Sequence, residues 1–180
     1  GSIATITSGS GGTGAGTSWT NPFDTLALAE TAVQTAGRSA TGDTIWVADG
    51  SYTRATLNVP TNGNAVITIK KATVAAHGTE TGWQNSYGDG QAIFTNVHLD
   101  ITTAYWTIDG ATRTSETSGY GFVIQGNIPG DIIDIAAGGD TLIFRYLEIT
   151  SPNVPLTNDC QQQNTCPRAG FYPRAGANDI

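Results

Sequence analysis

Three groups of residues in this 180-residue chain have the chemistry for a site. The first is acidic: Asp131, Asp134 and Asp140 flank one apolar run, and Asp100 and Asp109 lie near neighbouring runs. Two carboxylates at a set separation are what a glycosidase needs, and an Asp cluster with backbone carbonyls suits Ca2+. No EF-hand or repeat-type calcium motif is present, and acidic turn residues are common in any turn-rich chain, so surface turns are the competing reading. The second group is aromatic: Trp46, Trp83 and Tyr87, whose flat faces can stack on sugar rings. The third is the pair Cys160 and Cys166 in a polar stretch. A local disulfide in an oxidising compartment is the simplest expectation there, with free thiols as the alternative and no His or second Cys pair at metal-ligand spacing. His77 and His98 are isolated, and no Ser, His and Asp constellation is visible. A Gly12-x-Gly14-x-Gly16 run lacks phosphate-loop spacing and reads as a linker.

The elements that must position these groups are short strands. Gly42-Asp43-Thr44-Ile45-Trp46-Val47-Ala48-Asp49-Gly50-Ser51-Tyr52 holds a turn, a strand and a second turn, with Ile45 and Val47 pointing one way and Trp46 the other. The grammar returns as Ile67-Thr68-Ile69, Lys70-Lys71, Ala72-Thr73-Val74; as Trp106-Thr107-Ile108, Asp109-Gly110, Ala111-Thr112-Arg113; and as Leu142-Ile143-Phe144, Arg145-Tyr146, Leu147-Glu148-Ile149. In each case two alternating triplets flank a polar or Gly-bearing corner. The steps from residue 45 to 67, 106 and 142 fall in the range of stacked repeats. Aligning the triplets on their first inward residue predicts an outward row of Trp46, Thr68, Thr107 and Ile143. Such a row faces a ligand, a covering loop or a partner, unless the N-terminal segment packs over Trp46.

Other strands are expected at Ile3-Ala4-Thr5-Ile6-Thr7, Ala92-Ile93-Phe94, Val97 to Ile101, Phe122-Val123-Ile124 and Ile132 to Ile135. Polar insertions are expected at 75–91, 112–119 and 159–172. Asn21-Pro22 reads as a helix start, with Asn as N-cap and Gly37 as the stop, which predicts a short amphipathic helix over 22–36 that caps the first coil. The expected domains are an N-terminal strand and Gly/Ser-rich lead-in over 1–20, then the capping helix and coils over 21–180.

Pro22-Phe23, Gly42-Asp43-Thr44-Ile45, Gly50-Ser51-Tyr52 and Ala65-Val66-Ile67-Thr68-Ile69-Lys70 together resemble the N-terminal portion of right-handed parallel β-helix proteins of the pectate-lyase-like superfamily. The resemblance covers about residues 12 to 75 and is pattern-level beyond. It implies an all-β solenoid, a right-handed parallel β-helix with a short N-terminal capping helix. That superfamily spans lyases, hydrolases, epimerases, tailspikes and adhesins, so the resemblance speaks to fold more than to chemistry. In its lyases, calcium-bound carboxylates and an Arg or Lys base act on an acidic sugar. Arg145 could imitate such a base, or make a carbohydrate contact, and Lys70-Lys71 occupy an earlier corner; a surface ion pair of Arg145 with Glu148 is the plainer alternative.

Composition narrows the classes. Formal net charge is −7 and no basic stripe is present, which argues against nucleic acid. No stretch approaches 18 uninterrupted apolar residues, so no membrane span is expected. The chain has no Met, so either a leader has been removed or the chain is part of a longer product. Ala177-Asn178-Asp179-Ile180 reads as the entry to another strand, so the coils are expected to be incomplete at the C-terminal end. The expected protein is extracellular, a secreted scaffold with a structural, adhesive or carbohydrate-contacting role. It would meet polysaccharide or cell-surface glycan and associate with itself through its solenoid ends. The alternative is the front part of a polysaccharide lyase or glycoside hydrolase whose catalytic residues lie in later coils.

Overall fold

A computed structural model describes residues 3–7, 14–53, 55–95, 99–126 and 132–150, with the backbone of Phe171–Pro173. The chain runs β1 (Ile3–Ile6), α1 (Leu26–Ala36), β2 (Asp43–Val47), β3 (Gly50–Tyr52), β4 (Thr56–Leu57), β5 (Ile67–Lys71), a single 3-10 turn at Asn85–Tyr87 and β6 (Ala92–Thr95). It continues with β7 (Leu99–Ile101), β8 (Trp106–Asp109), β9 (Phe122–Gln125), β10 (Ile133–Ile135), β11 (Leu142–Arg145), β12 (Leu147–Thr150) and β13 (Phe171–Pro173). The strands form three sheets, ordered β1-β2-β5-β8-β11, β3-β6-β9-β12 and β4-β7-β10-β13. Every pairing between them is parallel. From β2 onward each strand lies beside the strand three places later in the chain. The molecule is therefore a β-rich assembly of mostly parallel sheets with one helix.

Period-two alternation produces this arrangement. On β2 and β5 the buried residues alternate with half-exposed ones, and parallel pairing keeps like positions in columns. Ile45, Ile69 and Ile108 form one buried column, continued by Phe144; Ile67, Trp106 and Leu142 form another. Tyr52, Phe94 and Ile124 continue the core on the second sheet, with ring centroids of Tyr52 and Phe94 5.6 Å apart. Leu57, Ile101 and Ile135 do so on the third. The interior is filled: a void of about 10 Å³ among Leu26, Ala55, Ile69, Phe94, Leu99, Ile108 and Ile124 is too small for a ligand.

Several sequence expectations change here. The helix begins at Leu26, not at Pro22: Thr25 is the N-cap, its Oγ1 accepting from Leu28 N at 3.2 Å, and Gly37 ends the helix with φ 79°. Phe23 instead takes an extended path beside β1, with its N–H donating to Thr5 O and its carbonyl accepting from Thr7 N. The free edge of β1 needed those partners more than a helix needed one further turn. Lys70 and Lys71 belong to β5 rather than to a corner. Ala72-Thr73-Val74 and Ala111-Thr112-Arg113 form no strand; Thr73 makes only an isolated bridge to Ala76. Strand β13 starts at Phe171, inside the stretch expected as an insertion, and the two-residue β4 gave no period to read.

The helix buries Leu26, Ala29 and Val33 beside β1 and the first strands. Behind it sits Arg38, 5% exposed. Its Nη1 donates to Ala65 O at 3.0 Å, Ala104 O at 2.9 Å and Tyr105 O at 3.4 Å, and its Nη2 donates to Val59 O at 2.9 Å. The guanidinium also lies 5.3 Å from the centre of the Trp106 ring. One planar fork thus fastens the connections that lead into β5 and β8. Burial pushes its pKa down from the usual value and the Asp43 carboxylate pushes it back; with an ordinary pKa so far above neutrality, Arg38 stays charged.

Candidate functional site

The outer face of the five-stranded sheet carries Trp46, Lys70, Asp109 and Arg145. Register sets two rows on it. Thr44, Thr68, Thr107 and Ile143 are lateral neighbours; so are Trp46, Lys70, Asp109 and Arg145. The expected row of Trp46, Thr68, Thr107 and Ile143 is therefore corrected by two residues at β2, where Thr44 takes the place of Trp46. Asp43, not Ile45, is the partner of Ile67. Asp43 occupies that inward place because it is buried and its Oδ2 accepts from Ser39 N at 2.8 Å. A sequence scan for apolar residues passes over an Asp at an inward position.

Along the second row, Lys70 Nζ stands 5.1 Å from the centre of the Trp46 ring, a cation–π contact. Arg145 Nη2 donates to Asp109 Oδ2 at 2.9 Å, joining the last two members. Arg145 thus pairs with a neighbouring strand and not with Glu148, and it keeps half of its side chain in solvent. Asp109 is almost buried, and its Oδ1 accepts from Ala111 N at 2.9 Å, tightening the turn after β8. Ile143 and Tyr146 are exposed beside Arg145.

Where this face turns toward the second sheet, the 72–91 connection folds over the corner. Trp19, Ala48 and Ala72 are buried there, with Trp46, Trp83 and Tyr87 packed against them. The rings interlock: Trp83 meets Trp19 edge-on at 5.1 Å, His77 stacks flat on Trp83 at 4.0 Å, and Tyr87 meets Trp83 edge-on at 5.9 Å. Trp19 Nε1 donates to His77 O at 3.0 Å, and Trp19 N donates to Thr81 O at 2.9 Å. His77 has Thr73 O 3.2 Å from Nδ1 and Glu80 Oε1 3.0 Å from Nε2. Gly78, at φ 80°, lies so close to Trp46 Nε1 that a Cβ would sit 2.4 Å from it. The three aromatic candidates therefore share one cluster. Trp19 and His77 complete it, and only their aromatic character marked them in the sequence.

A buried ion pair fastens the same corner. Lys71 is 1% exposed; its Nζ pairs with Asp49 and donates to Ala72 O. Asp49 Oδ2 accepts from Gly90 N, Asp49 N donates to Tyr87 O, and Gly50 N donates to Gln91 O. Burial pushes the Lys71 ammonium down from its ordinary value, opposed first by Asp49 and then by Asp89.

The remaining candidates are scattered. Asp134 lies on β10, in register with Asp100 of β7 on the third sheet. Asp140 precedes β11: its carbonyl accepts from Tyr105 N, and Thr141 Oγ1 lies 3.2 Å from its Oδ1. Asp131, His98, Cys160 and Cys166 lie outside the described residues. Among the described residues, no three His, Cys, Asp or Glu side chains gather closely enough to hold a metal ion. No helix among them is long and apolar enough to cross a membrane.

Compared with known proteins, the chain matches no family model, no curated protein and no solved structure. The class defined by the geometry is a mostly parallel, three-sheet β protein with an aromatic and charged strip on the outside of one sheet.

Proposed function

We propose that the three sheets are the faces of a right-handed parallel β-helix, and that the protein is a secreted scaffold whose five-stranded face contacts polysaccharide. The fold reading rests on the strand order. From β2 onward the neighbour in every sheet is the strand three places on, so one circuit through the sheets makes one coil. Neighbouring coils would then stand about 4.8 Å apart. Cysteines placed at Thr44 and Thr68, which are register partners, are expected to form a disulfide on mild oxidation. Cysteines at Thr44 and Thr107, two strands apart, are expected to stay reduced, being roughly 10 Å apart. Non-reducing peptide mapping reads both, and the reverse pattern overturns the coil assignment.

The functional reading is carried by the row Trp46, Lys70, Asp109 and Arg145. An aromatic ring, two cations and a carboxylate recur at strand spacing on a supported sheet, which suits a polymer of hydroxylated rings lying across the strands. Asp109 and Arg145 neutralise each other, which favours hydrogen bonding to a ligand over proton transfer. The test is titration calorimetry with polygalacturonate and with a neutral β-glucan. Binding to at least one is expected, weakened about tenfold or more when Lys70→Ala and Arg145→Ala are combined, since each lost charged hydrogen bond is worth roughly 1.5–3 kcal/mol in full and less at an exposed site. No binding to either polymer sinks the reading. New reducing ends or unsaturated uronate in the same mixtures would move the assignment to the lyase or hydrolase alternative.

A further inference from the structure

The capping helix carries a feature that neither the scaffold nor the glycan reading uses. Glu30 is the only ionisable side chain on α1, and it is 5% exposed, turned inward with Leu26, Ala29 and Val33. Its Oε1 accepts from Asn58 N at 2.9 Å, just past β4, the end strand of the third sheet. Ala27, Thr31 and Gln34 on the helix and Ala55, Thr56 and Asn58 opposite line a groove of about 350 Å³ with Glu30 at its wall. None of those neighbours titrates, and no cation among the described residues pairs with the carboxylate. A buried carboxylate held by one backbone amide is costly when charged and inexpensive when protonated. The groove gives water a route to it once the helix shifts.

We infer that α1 is a pH-sensitive cap, seated on β4 when Glu30 is protonated and loosened when it is ionised. Burial supports this by pushing the Glu30 carboxyl up to about 7 from 4.5, with the Asn58 amide opposing. The folded chain therefore holds a proton that the opened chain has lost between those two values. Stability of the cap is greatest below pH 4.5, falls through the window, and stays low above pH 7. Between pH 5 and pH 8 the opening equilibrium of α1 should rise by roughly tens of fold.

The experiment is amide hydrogen exchange at both pH values, corrected for intrinsic rates, on the full chain and on Glu30→Gln. The expected result is increased opening of the α1 and Asn58 amides at pH 8, absent in Glu30→Gln, while β8 amides remain protected at both. Equal α1 opening at the two pH values, or an unchanged pH response in Glu30→Gln, overturns the inference. A ¹³C titration of the Glu30 carboxyl in the unmodified protein reads the same point without a variant: a midpoint in the ordinary carboxylate range overturns it too.

Discussion

Arg38→Met is expected to destabilise the protein by about 3–5 kcal/mol, because each buried carbonyl left without a donor costs roughly 1–3 kcal/mol. Met keeps the apolar stem but lacks the guanidinium, so the loss is of the donors together with the volume they filled over Trp106. The carbonyls of Val59, Ala65 and Ala104 lose the guanidinium as donor together, whereas Tyr105 O keeps Ile67 N, and Trp106 loses the cation on its face. A domain of this size has a total stability on the order of 5–15 kcal/mol, so about a fifth or more would be lost. Arg38→Lys should recover only part, because an ammonium presents three donors from one point and cannot span carbonyls on separate connections. Urea unfolding of the three proteins measures this. A loss below about 1 kcal/mol for Arg38→Met would mean that water takes over the carbonyls and that the fork is dispensable.

Asp49→Ala is the second large effect, again about 3–5 kcal/mol, because it strands the Lys71 ammonium in a buried corner. Lys71→Met should cost less, since Asp49 keeps the Gly90 amide and some exposure to solvent. Combining the two should restore much of what Asp49→Ala loses, so the double-mutant cycle gives a large favourable coupling. Additive losses would show that Lys71 and Asp49 act separately, with Asp49 serving only to hold residues 87–90 at the corner.

Local pattern alone located the first triplet of each repeat, but not the second triplets at 72–74 and 111–113, which form no strand. Alternation around Ile45, Ile67, Trp106 and Leu142 located β2, β5, β8 and β11, because side-chain direction has period two whatever the neighbours do. Lateral register was not legible at β2. It depended on Asp43 being inward, which a backbone amide from Ser39 makes tolerable and which no hydropathy pattern signals. Nor could sequence distance show that Arg145 reaches Asp109, since that contact crosses a strand boundary 36 residues away. Trp46, Trp83 and Tyr87 were singled out by residue type, yet their meeting depended on how residues 72–91 fold back. The helix start was misplaced because Asn21-Pro22 carries a strong local signal that the unsatisfied edge of β1 overrides.

At one corner the connections have very unequal lengths. Two residues join β2 to β3, twenty join β5 to β6, twelve join β8 to β9, and Tyr146 alone joins β11 to β12. The strands on either side keep their parallel register throughout. Closing a longer flexible loop costs little, about 0.6 kcal/mol for each doubling of its length. That corner is therefore a place where a lineage can try new surface chemistry by insertion and deletion while the sheets stay the same. Descendants of one such sequence could differ most in what they touch and least in how they are built.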